Sequence, residues 1–370
     1  MSNINDYLKW RGDLSLSSDA FNEVDSMILA RFSYLIFNEI NLLPQESIES
    51  ISKKMNHFKN DEFRYNGDKE MISLLGKSER FKNMIVTDFV EHNDITSEKQ
   101  FSAITVHISD DELYVSYLGT DNSIYGWKED FNMAFMQHVP AQAEGKEYLE
   151  NIANKYPNKR IRLGGHSKGG SVAIFASIFT NKEIQNRIIE VVNYDGPGLE
   201  KEVLQKVKGN EIFSKLHTYI PQDSIIGRIL EHEEKCTVVE STEKGIYQHD
   251  IFSWQVLGKQ LITLDAPTSG SEFINKSISQ WLKSTTPEQR KIFFDGIFEI
   301  FYSSNMNTFS ELSSTLSKNI PTFIKTYQGI SEKDKKIISS MFVEFGKISA
   351  NILKNNVLNK NNKNLTHLRS

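Results

Sequence analysis

A chain of 370 residues is long enough for one large domain with an addition, or for two ordinary domains. Its 48 acidic and 43 basic residues leave a formal charge of -5 with the signs interspersed, and no Lys/Arg stripe interleaved with aromatic residues occurs, which argues against nucleic acid as a partner. The N-terminal MSNINDYLKWRGD has no basic region followed by an apolar core, no run of about 18 apolar residues occurs anywhere, and the expected location is therefore cytoplasmic; Cys236, the single cysteine, excludes an intrachain disulfide and a cysteine-based metal cluster and reads as a partly buried thiol.

In chain order, Phe21 to Phe37 reads as an apolar-faced helix and Pro44 to Met55 as a second, exposed one. Strand signals follow at Met84 to Glu91, Phe101 to Ile108 and Leu113 to Leu118, where Ser109-Asp110-Asp111 joins the last two as a hairpin. Thr120, directly after a strand and Gly119 in YVSYLGTDN, can offer a backbone N–H and a hydroxyl to a site beyond the strand end, although a turn threonine reads equally well on these residues alone. Glu144 to Tyr156 predicts a helix.

RIRLGGHSKGGSVAIFASIF, Arg160 to Phe179, then centres Ser167 in a Gly-x-Ser-x-Gly turn. Such a pattern arises by chance in roughly one chain in eight of this length, so context decides. Ile161 and Leu163 alternate with polar neighbours as in a short strand, while Val172, Ala173, Phe175, Ala176 and Phe179 fall at helical spacing. A sharp strand-to-helix turn holds a serine hydroxyl ready to attack, Gly165 and Gly169 remove the Cβ atoms that would clash, and the helix start aims N–H groups, Lys168 first, at an oxyanion. A phosphate loop would need Lys then Ser or Thr directly after its last glycine; here Gly170 follows Gly169.

Ile188 to Asp195 and Lys215 to Asp223 read as two further strands, each ending in an aspartate, with Thr237 to Glu240 another. Strands alternating with helices predict a mainly parallel central sheet covered on both faces, with ligands beyond the carboxyl ends of the strands. The first domain runs over 1–264. Composition changes at LDAPTSGSE, and 265–354 reads as helices only: Phe273 to Lys283, Pro287 to Tyr302, Phe309 to Lys325 and Ser331 to Lys354. The wide apolar face of IFFDGIFEIFY suits a core helix, or a cap or membrane-surface face over the site. The Asn- and Lys-rich 355–370 predicts a frayed polar tail.

A serine nucleophile needs a base and an orienting acid, in the chain order Ser, acid, His for this kind of elbow. Of the downstream histidines, His367 lies in the tail, His217 inside a strand, and His232 in a charged run that reads as a solvated face; His249 in GIYQHDIFSW occupies a glycine-led loop suited to the base. Asp223 in IPQDSIIG is the expected acid. Asp195 in NYDGPG is the alternative, read mainly as a turn-former before Gly196-Pro197-Gly198.

GHSKGG, YLGTDNSIYGWKEDF upstream and DGPG downstream resemble the class 3 triacylglycerol lipases. The chain is similar, over most of its length, to a bacterial lipase-like family of unknown function that shares segments like YLKWRGDL…FNEVDSMILARFSY, PQDSIIG and QHDIFSW. The resemblance implies an α/β-hydrolase fold with a helical C-terminal addition, Ser167, Asp223 and His249 in the triad positions, and Thr120 in the oxyanion position. Two residues depart from the lipases: Leu118 stands where they carry an arginine before Gly-Thr, and Lys168 where they carry an apolar residue after the nucleophile. The Lys168 side chain could meet an anionic substrate group or the oxyanion, or anchor the elbow helix through a salt bridge. The function expected is a serine hydrolase of small-molecule or lipid carboxylic esters, needing neither metal nor organic cofactor. Thioesterase, phospholipase and acyltransferase activities would use the same parts, and a non-catalytic binding or scaffolding module on the same fold is the rival class.

Overall fold

The computed structural model describes residues 2–94, 96, 98–121, 124–303 and 320–367, the side chains of 124, 125 and 356–367 excepted. The chain forms two compact units, one of Met1–Asp121 with Gln137–Pro267 and the other of Asn122–Met136 with Thr268–Ser370. The segment just after Thr120 thus belongs with the C-terminal helices, although nothing in its composition marks the change. Among the described residues no helix is long and apolar enough to cross a membrane.

The strands of the first unit are β1 (Gln45–Ser47), β2 (Ile85–Asp94), β3 (Lys99–His107), β4 (Glu112–Tyr117), β5 (Arg160–His166), β6 (Ile188–Tyr194), β7 (Leu216–Pro221), β8 (Cys236–Val239), β9 (Val256–Leu257), β10 (Gln260–Leu261) and β11 (Thr263–Leu264). β1 to β8 lie side by side in chain order with β11 beyond β8, while β9 and β10 pair separately. The inner pairings from β4 through β8 are parallel; β1 to β4 and β8 with β11 are antiparallel.

The helices in chain order are α1 (Ile4–Arg11), α2 (Glu23–Phe32), α3 (Ile48–Met55), α4 (Asp68–Leu75), α5 (Ile124–Asn132), α6 (Pro140–Lys155), α7 (Lys168–Phe179), α8 (Lys182–Arg187), α9 (Lys201–Val207), α10 (Ser269–Ser284) and α11 (Pro287–Tyr302). Side-chain alternation along β4 assigns the faces of the sheet. The Tyr114 hydroxyl donates to Ser26 O at 2.9 Å and Ser116 Oγ to Leu29 O at 2.8 Å, both on α2, whereas the Tyr117 hydroxyl donates to Gly145 O on α6 at 2.9 Å. α7 packs on that second face beside α6 and is apolar all round, with Lys168 through Ile178 buried, as a helix with no solvent face must be. Helices on both faces of a sheet whose inner strands are parallel, with a serine on the β5–α7 turn, make the α/β-hydrolase fold.

α2 begins at Glu23 rather than Phe21 because Asn22 caps it, accepting from Val24 N and Asp25 N, while Asp25 accepts from Asn22 N, and it ends at Phe32 rather than Phe37. The 44–55 stretch is also not the exposed helix expected: it opens as β1, and α3 buries Ile48, Ile51 and Met55. Arg31 of α2 is fully buried, donates twice to Asp68 Oδ1 at 2.8 and 2.7 Å, and lies 3.9 Å over the Tyr65 ring and 4.6 Å over that of Tyr34. Asp68→Asn is expected to lower stability by roughly 3–5 kcal/mol, because it strands a buried guanidinium charge; urea unfolding measures it, and a loss below about 1 kcal/mol would contradict a buried, charge-paired state.

The second unit has its own core. Phe293, Phe294 and Phe298 of α11 pack with Trp281 of α10, Ala134, and Ile338, Met341, Ile348 and Ile352 of the C-terminal helix Glu332–His367. The wide apolar face of α11 thus finds partners within this unit. Pro287 stands in the first turn of α11, as predicted, and Thr286 caps the helix through Gln289 N. The predicted Phe309–Lys325 helix falls largely outside the described residues, of which 320–329 are helical. The C-terminal helix continues to His367, where a frayed tail was expected from Asn355.

Candidate functional site

β5 ends at His166, and Ser167 turns the chain into α7 with φ 57° and ψ -134°. A non-glycine residue there carries on the order of 1–3 kcal/mol of strain that its surroundings must hold. They do so by hydrogen bonds from Ser167 N to Tyr194 O and from Gly170 N to Ser167 O, both 2.9 Å. A Cβ on Gly165 would stand 2.2 Å from Gly169 C, so the tight turn admits only glycine there. Gly119 is constrained in the same way: its Cβ would lie 2.1 Å from Tyr34 Oη, 2.5 Å from His166 O and 3.1 Å from Ser167 Cβ. This close approach sets the end of β4, and with it Thr120, beside the serine. Ser167 and Thr120 are each 7% exposed.

His249 closes the short 3-10 turn Gly245–His249, which is pinned by the fully buried Trp254 donating from Nε1 to Gln248 O at 2.8 Å. Its Nδ1 lies 2.6 Å from Asp195 Oδ2. A carboxylate only accepts, so Nδ1 carries the proton and Nε2 keeps the lone pair that a general base requires. Asp195 is 1% exposed, and its other oxygen accepts from Ser224 Oγ at 2.5 Å and Gly227 N at 3.1 Å.

This geometry corrects the expectation that Asp223 orients the imidazole. β6 is hydrogen-bonded directly to β5, and Ser167 N is bonded to Tyr194 O, so the residue after Tyr194 arrives next to Ser167. β7 lies one strand further away, about 5 Å. Asp223 instead organises the turn that carries His249: its Oδ2 accepts from Gly245 N at 3.0 Å and Gln248 Nε2 at 3.2 Å, and its N–H donates to Gln248 Oε1 at 2.8 Å. Asp195 has a left-handed φ of 52°, but its carboxylate does not order the turn before Gly196 as expected: Asn193 does, its Oδ1 accepting from Gly196 N at 2.8 Å and its Nδ2 donating to Gly196 O at 2.9 Å.

Nothing in the sequence marks His166 beyond its place in the motif, yet it ties the elbow to His249. Its Nε2 donates to His249 O at 2.7 Å, its Nδ1 then accepts from the Tyr34 hydroxyl at 3.0 Å, and the two imidazole rings are 4.5 Å apart. No local signal could have singled out Tyr34, which comes from 132 residues upstream. Lys168, 1% exposed, turns its Nζ to Gln100 O on β3 at 3.0 Å, which anchors the start of α7; its backbone N–H is the first of that helix. His217 is exposed on β7. His232 is not on a solvated face: its side chain is 10% exposed and bonded through Nδ1 to Glu234. Burial pushes the Cys236 thiol up to about 12, so it offers no competing thiolate.

Burial, then the His249 imidazole and the Arg31 guanidinium, hold His166 well below its ordinary 6.5. Burial and then Lys159 push His107 down to about 4. In the unfolded chain both rings take up a proton near pH 6.5, while the folded chain resists it, so acid favours unfolding. Stability from these two groups is complete above about pH 6.5 and is lost as the pH falls towards the folded values. Urea midpoints should fall from pH 7 to pH 4.5, and His107→Gln should flatten part of that slope; an unchanged slope in the variant would contradict the assignment for His107.

Residues 75–299 match the Mbeg1-like family. No curated protein matches the chain. Among solved structures it is similar to a fungal lipase in complex with an inhibitor (14% identity, 42% of this chain and 68% of that one, TM-score 0.33), to Lip2 lipase from Yarrowia lipolytica (12%, 46% and 68%, TM-score 0.31) and to M37 lipase (15%, 56% and 70%, TM-score 0.36). The family match takes in β2 to β8, the Ser167 elbow and the His249 turn, well over half of the sequence, and the chain belongs to the Mbeg1-like family.

Proposed function

We propose that this protein is a serine hydrolase of carboxylic esters. Ser167 Oγ attacks the carbonyl carbon and passes its proton to His249 Nε2, and Asp195 stabilises the imidazolium through Nδ1. The oxyanion is received by the Lys168 N–H together with the N–H or hydroxyl of Thr120. His249 then gives the proton to the leaving alcohol, an acyl-enzyme remains on Ser167, and a water activated by the same imidazole releases the acid. The observation that carries this reading is the His249–Asp195 pair, held against the strained Ser167 turn through His166. Thioesters and phospholipid esters present the same carbonyl chemistry and fall within the proposal.

A fluorophosphonate probe tests it, since only an activated serine reacts with one. Labelling should map to Ser167 alone and disappear on denaturation. An unlabelled folded protein, or labelling at another serine, would overturn the proposal in favour of a scaffold built on a hydrolase fold.

A further inference from the structure

The segment that leads into β8 reads His232-Glu233-Glu234-Lys235-Cys236, and the fold gathers its three alternate ligand-bearing residues. One ligand atom from each of His232, Glu234 and Cys236 lies within 4.8 Å of the other two. The His232 and Glu234 side chains are only 10% and 5% exposed. His232 Nδ1 stands 2.8 Å from Glu234 Oε1, and Thr218 on β7 also donates to that oxygen. The second imidazole nitrogen, Nε2, is buried with no hydrogen-bond partner among the described residues. A buried polar nitrogen left unsatisfied is uncommon in a folded protein and calls for a partner.

Imidazole nitrogen, carboxylate oxygen and thiol sulfur are the donors zinc takes. We propose that His232, Glu234 and Cys236 form a binding site for a divalent transition metal of the zinc class, with the fourth position left to water. Tetrahedral ligation at the usual bond lengths puts ligand atoms about 3.3–3.8 Å apart, so three ligand atoms within 4.8 Å of one another come into range by small side-chain rotations. A coordinating thiol is deprotonated by the bound metal itself.

The site lies behind the loop that follows Asp195. Leu199 is bridged to Glu231, with N–H···O bonds of 2.9 and 3.1 Å, and a Cβ on Gly198 would stand 3.1 Å from His232 Cδ2. A metal there braces the 196–199 loop without touching the reacting atoms, so its main effect is on stability.

The test uses the full chain, stripped with a chelator and titrated with Zn²⁺ and with Co²⁺ against a chromophoric competitor. One Zn²⁺ per chain should bind and raise the melting temperature, and the Co²⁺ form should show a thiolate-to-metal charge-transfer band in the near ultraviolet. Cys236→Ser should abolish that band, and Cys236→Ser and His232→Gln should each weaken Zn²⁺ binding by about 100-fold or more, beyond what loss of an outer-shell partner causes. Absence of stoichiometric binding, absence of the band in the unaltered protein, or affinity unchanged in either folded variant would overturn the site. The unaltered protein's Co²⁺ spectrum decides the matter if a variant fails to fold.

Discussion

Ser167→Ala is expected to lower kcat on short p-nitrophenyl esters by roughly 10⁴ to 10⁶, the loss seen when a serine acting with a histidine base is removed. The methyl group of alanine occupies the space of the serine Cβ, and the hydrogen bonds that hold the turn, Ser167 N to Tyr194 O and Gly170 N to Ser167 O, use backbone atoms alone. The melting temperature should therefore change little, since alanine keeps the same turn at φ 57°. Steady-state kinetics and a melting curve on the same preparation decide the question. A folded Ser167→Ala protein that turns over ester within about tenfold of the original rate would sink the nucleophile assignment.

Asp195→Asn should reduce kcat by about 10⁴ with KM nearly unchanged, because an amide favours the wrong imidazole tautomer and cannot stabilise the imidazolium. Asp223→Asn should act differently. Its carboxylate accepts from Gly245 N and Gln248 Nε2 and so shapes the turn below His249, and the substitution should cost about 1 kcal/mol of stability with kcat reduced by no more than about tenfold. The two variants discriminate best together, measured for kcat, KM and melting temperature. A larger kcat loss for Asp223→Asn at unchanged stability would mean that the imidazole reaches past Asp195 during turnover.

Local pattern was enough for the elbow and most regular elements. The Gly-His-Ser-Lys-Gly turn, the alternation of Ile161 and Leu163, and the apolar run of α7 are short-range features, and β5, Ser167 and α7 fall where they predict. Pro287 marked the start of α11 for the same reason, since proline suits a first helical turn whatever lies further away. The turn that ends at His249 was also legible as a glycine-led loop flanked by aromatics, and the structure holds it through Trp254 on Gln248 O.

What the sequence left open was every choice that depends on which strands are neighbours. NYDGPG and IPQDSIIG look alike as strand ends, and both aspartates precede the histidine. The direct pairing of β6 with β5 carries Asp195 to the imidazole, while Asp223 is drawn to the turn beneath it. His166 with Tyr34, Arg31 with Asp68, and His232 with Glu234 and Cys236 became legible only once the chain was folded. Residue type and spacing determine local turns and faces, because those energies arise within a few residues; contacts between distant segments follow from how the sheet is assembled, and that order is a property of the whole packed core.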